Sequence, residues 1–253
     1  MDALKPGLVT VAVSDRVASV TMEDDAGKNA LSHAMVAALG EAFATLAANE
    51  GVSAVVLAGL PEMFSSGASE EVLRDLLTRR REPSDILLPR LLLDCPVPCL
   101  AAMAGHAVGG GMALGLAADI VLLANESRYG LGFLNLGFTP GMGTTRLLEH
   151  VLSPALAHEL LYTGEARRGR DFAERTGINY VLPRSEVVPR AQSLAARIAE
   201  KPRPALVALK RVLSAPRRQA FEAARTQESL MHAISFAQPE VARLIADAFI
   251  NEP

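Results

Sequence analysis

The sequence predicts an α/β protein, and three observations carry that prediction. Strand and helix signals alternate through the first 60 residues. The alternation returns on either side of a glycine-rich turn near residue 109, and helical patterns dominate after residue 153.

Each element has its own reason. Residues 8–14 and 17–22 are short β-rich runs, 32–49 has the spacing of an amphipathic helix, and 54–58 is an apolar run of buried-strand length. Residues 100–103 then read as a strand, 112–118 as a helix, 120–124 as a strand and 144–151 as another helix. From Ser153 onward, helices with arginine-rich faces are separated by Thr163-Gly164, Gly177 and the prolines at 202 and 204, so this tail is expected to be nearly all helix. Such an arm packs on its own core or on a neighbouring subunit.

Composition narrows the function classes. With 50% hydrophobic and 21% charged residues, the 253-residue chain suits one domain or one domain with a small appendage. A net charge of -3 argues against nucleic acid, and the cluster Arg79, Arg80, Arg81 is followed at once by Glu82, as on a solvated loop. Cys95 and Cys99 lack a zinc or redox spacing and are expected to be buried fillers. With no leader and no apolar run of membrane length, the expectation is a cytoplasmic protein with no membrane partner.

The segment richest in chemistry is Gly105-His106-Ala107-Val108-Gly109-Gly110-Gly111, leading into an apolar helix-like run. Glycines at a helix start let backbone N–H groups approach a ligand oxygen with no side chain in the way. There is no Gly-Lys-Ser/Thr ending and no dinucleotide fingerprint, so phosphate cradling is disfavoured. Two readings of the turn remain at this point, close strand-to-helix packing and a site for a developing anion.

Four ordered segments carry a resemblance. Asn29-Ala30-Leu31-Ser32, Phe64-Ser65-Ser66-Gly67-Ala68-Ser69, the 105–111 turn and Gly137-Phe138-Thr139-Pro140-Gly141 resemble the landmarks of the crotonase (enoyl-CoA hydratase/isomerase) superfamily. The resemblance implies a crotonase-like spiral of β-β-α units over 1–195, with an α-helical C-terminal trimerisation or capping region over 196–253. It implies a homotrimer or a hexamer made of two trimers. The N–H groups of Ala68 and Gly110 then form an oxyanion hole for a thioester carbonyl, each donor contributing about 3 kcal/mol to the transition state. No metal and no resident cofactor are implied, because the acyl group arrives on the phosphopantetheine of an acyl carrier protein or of CoA.

The side chains around that hole select the reaction. Hydratases of the family place glutamates at two positions that are Ala113 and Phe133 here, and methyl and phenyl groups cannot activate water. Decarboxylation needs no base, since the departing carboxylate supplies the electrons. Finer resemblance, over Gly132 to Thr145, Gly105-His106 and Leu230-Met231-His232 with Phe236, is to the polyketide β-branching decarboxylases of 3-methylglutaconyl thioesters. It implies that His232 is the electrostatic partner or proton donor, and that Gly109, Gly141, Ala113, Phe133, Val72 and Leu76 line the pocket.

Val72 and Leu76 depart from that subfamily, whose members carry tyrosine and lysine there. Arg74, Arg79, Arg80 or Arg81 are candidates to replace the lost cation. Lys28, Lys210 and Arg211 are candidates for phosphate contact. Ser69 is expected to cap residues 70–77, His106 to be a packed structural residue, and His33, His150 and His158 to lie on helices without evident partners. Two alternatives stand beside decarboxylation: another crotonase reaction on an acyl-CoA, isomerisation or hydration, and a catalytically weak scaffold that binds acyl thioesters.

Overall fold

The computed structural model describes residues 7–82, 86–174 and 176–250. Strands β1 (Val9–Ser14) and β2 (Val17–Met22) form an antiparallel hairpin. Its two-residue turn holds Asp15 and Arg16 at φ 48° and 68°, the left-handed pair that matches the twist of paired strands. Helix α1 (His33–Ala48) follows, with the Ser32 hydroxyl accepting from the Met35 N–H at 3.2 Å. It returns the chain to β3 (Ala54–Ala58), which lies parallel to β2.

A short strand β4 (Met63–Ser65), helix α2 (Glu70–Leu77) and helix α3 (Leu88–Leu93) precede β5 (Cys99–Met103). Ser69 caps α2 as the sequence predicts, accepting from the Val72 N–H. Next come β6 (His106–Val108), α4 (Gly110–Leu116), β7 (Ile120–Ala124) and β8 (Arg128–Gly130). Helices α5 (Thr144–Leu147) and α6 (Pro154–Thr163) lead to β9 (Arg167–Arg168) and β10 (Tyr180–Leu182). Four helices follow: α7 (Arg184–Ala199), α8 (Arg203–Leu213), α9 (Ala215–Ser235) and α10 (Pro239–Ile250).

The strands make two sheets. One has the order β1-β2-β3-β5-β7-β10, parallel beyond the first hairpin, and the other has the order β4-β6-β8-β9. Tyr129 on β8 joins them. Its buried hydroxyl donates to the Met103 carbonyl at 2.6 Å and accepts from the Ala124 N–H at 2.8 Å, and burial pushes its pKa up.

One face of the larger sheet carries the main core, which includes Met22, Leu57 and Met103. Helix α7 covers the other face with Val187, Ala191, Ala195 and Ala199 against Ala54, Ala102 and Ala124. Small residues every four positions let the helix lie close to the strands.

Three expectations need correction. The tail expected to be nearly all helix also holds β9 and β10, and β10 completes the larger sheet through parallel pairing with β7. A strand of three residues is too short to show a period of two. The expected helix over 144–151 is α5 followed by a 3-10 turn at Leu148–His150. The division at 195/196 falls inside α7, which packs on the sheet to its last turn.

Candidate active site

Two segments bring their backbones together at the centre. Asn29, fully buried, donates from its amide to the carbonyls of Met22, Met63 and Phe64, and the Ser65 hydroxyl donates to the Asn29 carbonyl at 2.8 Å. These bonds aim the chain leaving β4 at the glycine turn. Gly67 adopts φ 90°, and a Cβ there would lie 2.8 Å from the Val108 carbonyl oxygen and 3.6 Å from the Gly110 nitrogen. On the facing segment, a Cβ on Gly111 would stand 2.6 Å from the Cβ of Ser65. The glycines are there because β4 and α4 touch.

The N–H groups of Ala68 and Gly110 belong to these two segments. Among the described residues, neither the Ala68 nor the Gly110 N–H has an acceptor in the protein. Ala68, Gly109 and Gly110 line one cavity of about 550 Å³, with Leu73, Phe133 and Phe138 among its apolar walls. Unpaired donors in an apolar cavity favour an oxygen that gains negative charge. Contrary to the sequence expectation, Ala113, buried one turn into α4, and Gly141 do not line this cavity, whereas Gly109 and Phe133 do.

His232 sits in a neighbouring cavity of about 130 Å³ with Leu76, Arg79, Arg81, Glu82 and Phe236. Its Nε2–H donates to the Thr139 carbonyl at 2.8 Å, which leaves Nδ1 as a lone pair, buried and without a partner among the described residues. Burial holds this imidazole below the ordinary histidine pKa, and the bond to Thr139 offsets only part of that effect. The ring rests on Gly141, where a Cβ would come within 2.9 Å of Cε1. Phe138 links the two cavities, with its ring centre 6.1 Å from Phe133 and 6.5 Å from His232.

A third, small cavity joins Ala68, Val72, Met142 and Arg81. Val72 and Leu76 therefore border the site, each in its own cavity, and both are apolar. Helix α9 brings His232 in, and Glu228 one turn earlier fastens that helix to the start of α5. The Glu228 carboxylate accepts from the N–H groups of Gly143 and Thr145 and from the Thr145 hydroxyl, while burial raises its pKa.

The model of the enoyl-CoA hydratase/isomerase family matches residues 12–249. The chain belongs to that family. Within the enoyl-CoA hydratase/isomerase family it is 39% identical over 242 residues to the bacillaene synthase decarboxylase PksI of Bacillus subtilis, covering 95% of this chain and 97% of PksI. A solved structure from a dehydratase/decarboxylase enzyme couple of polyketide β-branching superposes with a TM-score of 0.92 at 39% identity, covering 97% of this chain and 100% of the other. The ECH2 decarboxylase domain of CurF from Lyngbya majuscula gives 0.88 at 40% identity, covering 96% and 99%.

Several sequence-predicted residues lie elsewhere. Lys210 is not a phosphate contact. It is 3% exposed, and its ammonium group donates to Asp119 at 2.6 Å and to the Leu92 carbonyl at 2.9 Å. Arg211, its neighbour on α8, is exposed, as is Lys28 beside the cavity residues Gly27 and Ala30. His33 and His158 do have partners, Asp75 with Arg81 and Glu149 respectively. His106 accepts from the Arg128 N–H at 2.7 Å, as a packed residue would. Cys95 and Cys99 are buried, and no cluster of metal-ligating side chains occurs among the described residues.

Sequence reasoning missed Glu228, Met142 and the Asp75–His33 pair. Glu228 lies 85 and 83 positions from Gly143 and Thr145, and Asp75 lies 42 positions from His33, so no local pattern announces them.

Proposed function

We propose that this protein decarboxylates a 3-methylglutaconyl-type acyl thioester carried on an acyl carrier protein or on CoA. One observation carries the reading: Ala68 and Gly110, whose N–H groups lack acceptors among the described residues, border one cavity with Phe133, and the chain has no glutamate at either Phe133 or Ala113. The likeness to PksI and to the CurF domain supports the same reaction class.

The chemistry follows from charge. The bond between the γ-carbon and the carboxylate breaks, CO2 leaves, and the electron pair spreads through the double bond to the thioester oxygen as a dienolate. The two amides stabilise that oxygen. One proton then reaches carbon, and His232 delivers it from Nδ1 after taking a proton from solvent. Apolar walls at Phe133 and Phe138 keep other anions away from the leaving carboxylate.

Lys28 and Arg211 are the remaining candidates for the phosphates of the carrier arm, both exposed. Exposed Leu209, Val212 and Leu213 on α8 with Leu230 and Ile234 on α9 support assembly as a homotrimer or as a pair of trimers.

The test is incubation with 3-methylglutaconyl thioester on each carrier, followed by mass spectrometry of the acyl arm. Loss of one CO2 is expected. Intact substrate that nevertheless binds would assign the protein to the scaffold class instead.

A further inference from the structure

We propose that Arg81, held by His33 and Asp75, is the receptor for the substrate's free carboxylate. The inference rests on the thioester reading above and extends it, because Val72 and Leu76 offer the site no polar group. Arg81 follows α2 and, among the described residues, is the one arginine that borders both the cavity of His232 and the small third cavity, which Ala68 lines from its other side, although Arg81 does not line the 550 Å³ cavity itself. A guanidinium there lies between the imidazole of His232 and the segment that carries the Ala68 N–H.

The arginine is oriented by a chain of three side chains. Arg81 Nη1–H donates to His33 Nδ1 at 2.6 Å, and His33 Nε2–H donates to Asp75 Oδ2 at 2.8 Å. A guanidinium has no lone pair to offer, so the ring nitrogen facing it must be the acceptor and the other must carry the hydrogen. Asp75 thus selects the histidine tautomer that holds Arg81. His33 opens α1 and Asp75 lies on α2, so two helices set the position of one guanidinium.

Arg81 has no carboxylate partner among the described residues, although it is half-buried. The other candidates are engaged or misplaced. Arg74 is paired with Glu70 at 2.6 Å, Arg80 points outward with 77% of its side chain exposed, and Arg79 borders the His232 cavity alone. Glu82 also borders that cavity, so among the described residues Arg79, Arg81 and Glu82 together leave it one positive charge in excess. A guanidinium matches a carboxylate in two parallel hydrogen bonds, and four of its five N–H groups remain after the one given to His33.

The experiment separates carboxylate recognition from turnover by using two unreactive thioesters, glutaryl-CoA and butyryl-CoA. Wild-type protein is expected to bind glutaryl-CoA about tenfold more tightly, Arg81→Gln to lose that preference with butyryl-CoA binding unchanged, and Arg81→Lys to keep part of it. His33→Ala is expected to weaken glutaryl-CoA binding in the wild-type background and to add nothing in the Arg81→Gln background. Absence of a preference in wild type, or its survival in Arg81→Gln, overturns the proposal. A preference that depends on Arg81, in a protein that releases no CO2 from 3-methylglutaconyl thioester, upholds Arg81 and overturns the decarboxylase reading alone.

Discussion

His232 shows how burial shapes a residue's chemistry. Because desolvation lowers its pKa, the protonated form is scarce at neutral pH, and only that form has a proton to give from Nδ1. The sign is therefore definite: kcat should rise as pH falls, levelling off below a midpoint under the ordinary histidine value of about 6.5. His232→Gln should lower kcat on the order of 100-fold and abolish the midpoint. A pH–rate profile of wild type and variant checks this, and an unchanged variant profile would remove His232 as the donor. At this scale the sequence was informative where residue type alone mattered. Ala113 and Phe133 exclude a carboxylate wherever their side chains point, so residue type alone disfavours hydration. Lys210 shows the opposite case: a lysine on an amphipathic helix reads as exposed, and its partner Asp119 lies 91 positions away.

At the scale of elements, the contact between β4 and the start of α4 is the critical join. Gly111→Ala would drive a methyl group into Ser65 on both its Cβ and its carbonyl oxygen, 2.6 and 2.7 Å away. The helix start must then shift and carry the Gly110 N–H with it. The expected result is a fall in kcat of about 100-fold, the loss typical of one oxyanion donor, with little change in KM. Steady-state kinetics on the folded variant measures both. The longer elements were legible because α1 carries several turns of its pattern and β3, β5 and β7 are apolar runs of strand length, and Ser32 and Ser69 mark the starts of α1 and α2. The three-residue strands β4, β6 and β8 were not, since the smaller sheet is specified by its neighbours rather than by its own sequence.

For the whole molecule, Asp119 is the clasp between the core and the last helices. It accepts from Lys210 on α8 and from Arg217 on α9, both at 2.6 Å, and from the Cys99 N–H at the start of β5 at 2.8 Å. Asp119→Ala leaves the Lys210 ammonium buried without a counter-charge and is expected to cost about 3–5 kcal/mol, read as a drop in the midpoint of denaturant unfolding. An undiminished midpoint would show that the helices dock without it. The order of the elements along the chain has one more consequence. The amide pair is complete once α4 has formed, but the imidazole arrives only when α9 has docked through Arg217 and Glu228. During synthesis, then, a nascent chain gains the means to hold a thioester long before it gains the means to finish the reaction, and full turnover reports that the C-terminal helices are in place.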